Sequence, residues 1–582
     1  MEVAWDHTWS ADGQDVLLDA VPLPDGGWVL AGESKSNTDL DKSAPYYGGV
    51  DIWLVRLDRD GQVLWQNAYG GSKDETYGKL LALPDGGFLL CATSNSLASG
   101  SKTANYFASA DFWIVRLDDQ GNQIWDKCHG SRNDEHLTSV VSLPDGGFLL
   151  GGESLFSDVP GGDRSSKGYA MLDLWLMRID TDGNKVWDKA LGGYFDEYLY
   201  QMLPSEDGGF YILGRTQSWA GGTKRSQTGS PGLYWDYLAI KIASNGSLVW
   251  EQGFGGFSWE YFFQGARAPQ GGLLLGGWSK SETPSGNKTS SNHGASDEDY
   301  WVVSVGSEGA KRFDLSYGGT GPDHLRTLTP AGNGRYWLAG YSWDSTDGDH
   351  TGAGIGGGVD AWVAQIDAQG RKLWDQAYGT GFKDTVYDMI PGSYGGAWLL
   401  GGQMADTRYP EPTTIEASPG AGPWLQEIRA GGEPGQWFQW TNAPLTFFHS
   451  LRQGNEGDLL LVGYTVDAGF KMTGHLPATN NVVVNSDYRV IKLQRPLLPT
   501  REPGNGAQVL VREDLQGLVE QDGLLVSLLG EPDTAYVLES SGDLLAWQPV
   551  STNTVGQTEL RIRDRGAAGA PRRFYRTKTL EP

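Results

Sequence analysis

Hydrophobic and polar residues alternate over short stretches of this chain, and residues 72–130 show the pattern in full. Four apolar segments separated by turns lie there, at residues 77–83, 88–94, 112–117 and 123–129. The first two flank the turn Pro84-Asp85-Gly86-Gly87. Alternation with a period of two, broken by Asp-Gly turns, predicts four short antiparallel strands, named a, b, c and d in chain order.

The same unit recurs along the chain. One marker is an acidic residue followed two positions later by an aromatic or apolar one, and the six clear copies begin 60 to 63 residues apart, at Asp51, Asp111, Asp173, Asp236, Asp299 and Asp360. Two degenerate copies begin at Pro423 and Asp487. Eight four-stranded units of this length predict an all-β fold, an eight-bladed β-propeller.

The chain ends predict how the ring closes. Residues 4–9 match residues 64–69, which form a strand d, and the last copy stops after strand c at residues 488–493. The N-terminal strand should therefore complete the eighth blade. We expect the propeller to span residues 1–494 and a Pro- and Gly-containing linker to span 495–507. A small all-β module, similar to a β-sandwich, should occupy 508–582.

Composition narrows the possible partners. The 582 residues include 72 acidic and 45 basic ones, so the net charge of −27 disfavours nucleic acid. No apolar stretch is long enough to predict a membrane span. The only two cysteines, Cys91 and Cys128, are too few for a thiolate metal site. The residues after Met1 do not resemble a signal sequence, so export would require prior removal of one.

The repeat resembles those of secreted bacterial eight-bladed β-propeller proteins in its Asp-x-Trp, Tyr-Gly-Gly and Asp-Gly-Gly landmarks, over residues 1–494. The segments 536–540, 545–547 and 573–576 resemble a C-terminal β module of secreted bacterial proteins. These resemblances imply an extracellular or cell-surface protein. They imply nothing about a reaction.

The segment that ends in Trp65 is similar, more distantly, to the tryptophan-docking motif of quinoprotein dehydrogenases, in which the Trp packs between blades. That family holds its quinone over a disulfide between adjacent cysteines. Cys91 and Cys128 are 37 residues apart, so we expect no quinone cofactor.

The b–c loops are the candidate ligand-binding segments. They are roughly 16 to 22 residues long, far above ordinary hairpin length, and should share one face of the ring with the d–a connections. Their Ser, Thr, Asn and Asp residues lie beside four aromatic residues that would suit a sugar, namely Trp219, Tyr234, Trp235 and Trp259. Packing within the loops is the alternative role for these rings.

Acidic residues recur in the d–a connections, where they should lie near the mouth of the central channel. They are Asp74, Glu75, Asp134, Glu135, Asp196, Glu197, Glu260, Asp323 and Asp384. Such a ring could bind Ca²⁺ or a cationic group, or supply paired carboxylates for glycoside chemistry. Recurrence in nearly every blade favours a third role, capping of backbone N–H groups.

One b–c loop has a pattern of its own. Asp344, Asp347 and Asp349 lie within six residues around Gly348, which suits Ca²⁺, although the distal Glu of an EF-hand is missing. We therefore treat these three residues as a candidate calcium site.

Repetition without a unique catalytic constellation favours binding over catalysis. The leading hypothesis is a secreted or surface-displayed binding or scaffold protein that holds a polysaccharide or an extracellular protein on the long-loop face. The alternative is a carbohydrate-active enzyme, a lyase or hydrolase, that uses Glu260 and Tyr261 where Trp259-Glu260-Tyr261-Phe262 departs from the repeat. A third hypothesis is a calcium-stiffened structural subunit of an envelope assembly.

Overall fold

A computed structural model gives the architecture of the chain. It describes all residues except 108, 156–160, 170, 227–233, 295–296, 344–346, 353, 357, 393–394, 404–421, 442–444, 456, 467–485, 495–507, 511–523, 530–534, 542–547, 555–558, 565–573 and 580–582. No α-helix occurs in the part of the chain so described. By its internal contacts the chain divides into two units, residues 1–391 with 397–495, and residues 392–396 with 496–582.

The first unit is a ring of eight four-stranded antiparallel sheets, and seven of these blades are continuous in sequence. Blades 1 and 2 contain β2 (Asp15–Pro22), β3 (Trp28–Ser34), β4 (Asp51–Leu57), β5 (Val63–Tyr69), β6 (Glu75–Ala82), β7 (Phe88–Ser94), β8 (Asp111–Leu117) and β9 (Gln123–His129). Blades 3 and 4 contain β10 (Glu135–Ser142), β11 (Phe148–Leu155), β12 (Leu172–Ile179), β13 (Lys185–Leu191), β14 (Glu197–Pro204), β15 (Phe210–Thr216), β16 (Asp236–Ile242) and β17 (Leu248–Phe254).

The remaining blades follow the same order. Blades 5 and 6 contain β18 (Glu260–Arg267), β19 (Leu273–Ser279), β20 (Asp299–Val305), β21 (Lys311–Tyr317), β22 (Asp323–Gly332), β23 (Arg335–Trp343), β24 (Val359–Ile366) and β25 (Lys372–Tyr378). Blade 7 contains β26 (Asp384–Pro391), β27 (Ala397–Gln403), β28 (Trp424–Ile428) and β29 (Pro434–Gln439). Blade 8 contains β30 (Leu445–Gln453), β31 (Leu459–Val466), β32 (Ser486–Gln494) and β1 (Glu2–Trp9).

The ring is closed by the N-terminal strand. β1 pairs antiparallel with β32, with Trp9 opposite Tyr488 and Thr8 opposite Arg489. The Arg489 guanidinium also donates to the Asp6 carboxylate at 2.9 Å. The predicted eight-bladed all-β fold, with the first strand completing the last blade, is confirmed.

The described residues of the second unit form six strands in two three-stranded antiparallel sheets. One sheet has the order β33-β34-β37, with bounds Gln508–Leu510, Leu524–Leu529 and Glu559–Asp564. The other has the order β36-β35-β38, with bounds Gln548–Thr554, Ala535–Ser541 and Phe574–Thr579.

Tryptophan side chains make hydrogen bonds both within a blade and between neighbouring blades. Trp113, in an Asp-x-Trp copy, is fully buried and donates its indole N–H to Asp126 on the next strand at 2.9 Å. Trp65, on an outer strand d, instead donates to the backbone oxygen of Asp119 in the following blade at 3.2 Å. A Cβ on Gly121, whose φ is +75°, would lie 2.9 Å from the Trp65 ring. The turn therefore requires glycine both for its backbone conformation and for the ring that covers it.

Candidate functional site

The first three contacts between neighbouring blades, here called blade seams, share one hydrogen bond. Near the end of strand b, Glu33, Thr93 and Glu153 each accept a hydrogen bond from a backbone N–H in strand a of the next blade, at 2.8, 2.9 and 2.7 Å. Strand register places Arg215 and Trp278 at the equivalent positions in blades 4 and 5. Neither side chain has an acceptor to offer, so the repeated bond is replaced at these two seams.

Four aromatic rings surround the Arg215 guanidinium. Its central carbon lies 4.3 Å from the ring centroid of Tyr261, 4.4 Å from that of Trp235, 4.9 Å from that of Tyr198 and 5.6 Å from that of Tyr200. These are cation–π distances. Arg215, Tyr198, Tyr200 and Tyr261 are all partly exposed. We call these five residues the Arg215 cluster.

The ring contacts continue from the Arg215 cluster into blades 5 and 6, where Trp278, His324 and Tyr341 are buried. The Tyr261 ring stacks on Trp278 at 5.2 Å, and Trp278 stacks on His324 at 4.8 Å. His324 Nδ1 in turn lies 2.6 Å from the Tyr341 hydroxyl. Burial lowers the pKa of His324, although Glu298 acts in the opposite direction.

A second arginine, Arg326, contacts rings of the same set. The Arg326 guanidinium lies 5.0 Å from the Phe263 ring and 5.6 Å from the Tyr341 ring. Phe263 is also 5.5 Å from Tyr261, so a continuous path of ring contacts links the two arginines. Strand a is the innermost strand of a propeller blade, and Tyr261, Phe263 and Arg326 all belong to it.

The strands a of blades 7, 8, 1 and 2 carry a different arrangement. Asp19 forms ion pairs with Lys79 at 2.6 Å and with Arg452 at 2.9 Å. Arg452 also reaches Asp388 at 3.5 Å, and the Tyr77 hydroxyl donates to Asp19 at 3.2 Å. Acids and bases neutralise each other on this side, whereas arginines and aromatic rings predominate at blades 4–6.

The recurring acids form buried pairs at the blade seams. In each pair, the Asp of an Asp-x-Trp copy and the first residue of strand a in the next blade face the same glycine. A Cβ on Gly130 would lie 1.9 Å from Asp111 Oδ1 and 2.9 Å from Glu135 Oε2. The five pairs seen in this way are Asp51–Glu75, Asp111–Glu135, Asp173–Glu197, Asp236–Glu260 and Asp299–Asp323.

Burial changes the titration of these pairs. Because the side chains are withdrawn from water, the pKa of Asp51 and that of Asp111 are raised to about 7, and that of Asp173 is raised to about 6. Burial also raises the pKa of Glu197 to about 7. Oδ1 of Asp111 is enclosed without a hydrogen-bond partner among the described residues. Repulsion from the neighbouring Glu135 adds to burial in raising the pKa of Asp111, so a proton on one carboxyl group relieves the repulsion within the pair.

The strand-a acids also fasten the loops. Glu75 accepts from the Gly71 backbone N–H at 2.8 Å and from the Ser94 hydroxyl at 2.7 Å. Glu260 makes the equivalent contacts with Gly256 at 3.0 Å and Ser279 at 2.8 Å. All members of this set are buried, namely Glu75, Glu135, Glu197, Glu260, Asp323 and Asp384. Glu260 is therefore enclosed in the same way as its repeats, while its neighbour Tyr261 faces Arg215.

The other acids of the d–a connections hold the end of a b–c loop. Asp74, Asp134 and Asp196 each accept a hydrogen bond from the backbone N–H just before strand c of the preceding blade, at 2.9, 3.2 and 3.1 Å. The b–c loops and d–a connections do meet on one face, since Ser101 N–H donates to the Gly70 oxygen at 3.0 Å.

A buried cation in the b–c loop completes each of the first five seams. The cations are Lys42, Lys102, Arg164, Lys224 and Lys288. Lys288 Nζ donates to the Ser290 oxygen at 2.7 Å and lies 6.0 Å from the Trp301 ring. Burial lowers the pKa of Lys288 to about 8 even though Glu260 acts against it. Sequence reasoning missed these residues, whose only signal is a basic residue 9 to 12 positions before an Asp-x-Trp copy.

The structure separates the aromatic residues predicted to bind a ligand. Trp235 joins Tyr261 in the Arg215 cluster. Tyr234 instead packs against Trp259 at 5.6 Å. Trp219, which is 41% exposed, packs on Phe195 at 5.3 Å. Tyr234 and Trp259 therefore contact each other, while Trp235 and Tyr261 meet through an arginine that the sequence pattern did not single out.

The predicted calcium loop is described in part. Asp344 lies outside the described residues. Asp347 accepts from the Thr320 backbone N–H at 2.9 Å and from its hydroxyl at 2.8 Å. Asp349 lies 3.4 Å from both the Gly318 N–H and His293 Nε2. Among the described residues no group of three or more His, Cys, Asp or Glu side chains is arranged to hold a metal ion.

A cavity of about 320 Å³ opens on the tight-turn face, where Glu206, Arg267, Pro269 and Arg335 line it. It lies at the other ends of the strands from the acid pairs. No helix in the described chain is long and apolar enough to cross a membrane.

Comparisons with known proteins give no family for this chain and only distant structural likenesses. No family model and no curated protein matches this chain. Among solved structures it is similar to Sqt1 from Chaetomium thermophilum, with 13% identity, a TM-score of 0.42 and coverage of 79% of this chain and 97% of that one. A puromycin hydrolase is 12% identical, with a TM-score of 0.36 and coverage of 79% of this chain and 59% of that one. A mutant apocarotenoid oxygenase from Synechocystis is also 12% identical, with a TM-score of 0.30 and coverage of 82% of this chain and 97% of that one.

Proposed function

We propose that this protein is a secreted or surface-displayed binding propeller that holds a glycan at the long-loop end of blades 4–6. The replacement of the repeated seam hydrogen bond by Arg215 and its four aromatic rings supports this proposal most directly. Repeat positions that keep the fold are the same from blade to blade. Positions that depart from the repeat without a structural gain are where function is expected.

The chemistry of the Arg215 cluster suits a sugar ring. Partly exposed tyrosine rings offer flat apolar faces to the C–H groups of a pyranose, and the tyrosine hydroxyls and guanidinium N–H groups can bond its oxygens. The cluster lies beside the b–c loops, so a polymer bound there could also contact their polar residues. The likeness of the repeat to secreted bacterial propellers supports a location outside the cell.

The contacts of Glu260 support binding over hydrolysis or elimination. A general acid or base must reach the substrate, directly or through one water molecule. Glu260 is fully enclosed and both its oxygens accept hydrogen bonds from the scaffold. It performs the same structural task as Glu75 in a blade that has no aromatic cluster.

The test is binding of the purified full chain to immobilised glucans, galactan, polygalacturonate and alginate. Tyr261→Ala should abolish binding to whichever polymer is retained. Tyr46→Ala is the matched control, because Tyr46 is a similarly accessible tyrosine on the long-loop face of blade 1. Both variants should keep the melting temperature of the parent within a few degrees. Equal loss in both variants, or no retention of any polymer, would refute the proposal.

A further inference from the structure

We infer that the ligand held at blades 4–6 is an acidic glycan, with the carboxylate of a uronic acid residue bound by Arg215 and a second acidic residue within reach of Arg326. This inference rests on the proposed function and specifies the class of sugar. It is drawn from the surroundings of the two arginines, which are aromatic rings rather than carboxylates.

Several cations in this acidic protein have carboxylate partners. Lys224 pairs with Glu251 at 3.3 Å, Lys185 with Asp188 at 3.0 Å, and Arg452 with Asp19 at 2.9 Å. Within the described residues, no carboxylate oxygen lies within 4 Å of the guanidinium of Arg215 or Arg326. The neighbours of these two arginines are instead aromatic rings, which lie 4.3 Å from Arg215 and 5.0 Å from Arg326 at their nearest.

Glu153 is the carboxylate whose charge acts on Arg215, and both its oxygens already accept hydrogen bonds. Glu153 Oε1 accepts the Leu199 N–H at 2.7 Å, and Oε2 accepts the Thr138 hydroxyl at 3.0 Å. Glu153 therefore serves the seam between blades 3 and 4. Arg215 Nε is enclosed and has no hydrogen-bond partner among the described residues.

Ring contacts leave the arginine donors free for a ligand. A guanidinium stacked on aromatic faces keeps its N–H bonds in its own plane, where a planar carboxylate can accept two of them in parallel. A buried or half-buried charge without a counter-ion is costly, so an incoming carboxylate gains more here than at an exposed lysine. The rings of Tyr198 and Tyr261 then lie beside the sugar that carries the carboxylate.

A uronate fits these features better than other anions. It combines a planar carboxylate with a pyranose ring whose C–H face can stack on an aromatic side chain. The path from Arg215 through Tyr261 and Phe263 to Arg326 is lined by rings, which suits successive sugar residues of one chain.

The experiment is calorimetric titration of the full chain with oligomers of polygalacturonate and of alginate, each beside its methyl-esterified form, and with a sulfated galactan. Methyl esterification removes the charge and keeps the ring. We expect the acidic oligomers to bind at least about tenfold more tightly than their esters, with the difference shrinking as salt is raised. Arg215→Met should remove that difference, and Arg215→Lys should restore only part of it, because lysine lacks the planar fork.

Arg225→Met is the control, since Arg225 is an exposed arginine on the same face of blade 4 and should leave binding unchanged. Equal binding of acids and esters would overturn the inference and leave the proposed function standing. Preference for the sulfated galactan alone would overturn the choice of uronate. Failure of every glycan to bind, charged or neutral, would overturn the proposed function with it. Melting curves of the Arg215 variants separate a lost contact from a lost fold.

Discussion

Replacing Asp111 by Asn should remove the pH dependence that its seam contributes to propeller stability. Burial, assisted by the nearby charge of Glu135, raises the pKa of Asp111 to about 7 from an ordinary value of 3.8. The native state therefore holds a proton that the unfolded chain releases near pH 4. Stability from this group is complete below pH 4 and is lost as the pH rises through 7.

The size of the effect follows from the raised pKa. Between pH 5 and 7 the folded state loses about 1.36 kcal/mol per pH unit from one such group, or about 2.7 kcal/mol in all. Unfolding about 500 residues at roughly 2.1 cal/mol/K each gives an entropy of about 1 kcal/mol/K. The melting temperature should therefore fall by about 3 °C for this seam. Asn at position 111 can keep the hydrogen bond from the Phe107 N–H through its amide oxygen, and it carries no charge at any of these pH values.

The assay is scanning calorimetry of both proteins at pH 5, 6, 7 and 8 at constant ionic strength. Asp111→Asn should match the parent near pH 5 and melt about 3 °C higher at pH 8. Asp60→Asn, at an exposed turn, controls for the loss of one negative charge. Parallel pH profiles for the parent and Asp111→Asn would show that the carboxyl pair does not share a proton.

Three other outcomes are expected. Gly130→Ala should destabilise the propeller by about 1–3 kcal/mol, because the new Cβ would overlap a carboxyl oxygen, whereas Gly352→Ala has open space and should be neutral by calorimetry. Deleting residues 1–9 should lower the melting temperature and cause aggregation measurable by light scattering, because β32 becomes an open edge. Lys288→Met should destabilise more at pH 7 than at pH 5, as paired melts would show, since burial raises the pKa of Glu260 and this carboxyl group needs the Lys288 charge only when it is ionised.

The fold could be predicted from the sequence because each blade repeats the residues that hold it. Even the degenerate copy at Pro423 forms a blade, since Trp424 is fully buried and its indole N–H reaches Asp384 at 2.8 Å. The period set the number of blades, and the match between the first residues and a strand d predicted closure. These are local patterns repeated at fixed spacing, which a single sequence displays directly.

The site could be predicted only in part, because its residues meet across a seam. Arg215 and Tyr261 are 46 positions apart and belong to different blades. Within its own strand Arg215 is one polar residue of an alternating pattern, so nothing local distinguishes it from Glu153. Loop aromatics such as Trp219 stood out by composition, but composition does not tell which ring faces a neighbouring blade. The basic residues of the b–c loops were hidden by the variable length of those loops.

The pairing of β1 with β32 also bears on how the protein is made. β1 is synthesised before the rest of the propeller, but its partner emerges only after some 480 further residues, which takes roughly 25 to 100 s at about 5–20 residues per second. Throughout that interval the nascent ring is incomplete and Glu2–Trp9 has no native partner. During this time Trp5 and Trp9 lack their native neighbours, so β1 is a natural target for chaperones that act on emerging polypeptides, and the speed of ring closure after release should set the yield of native protein.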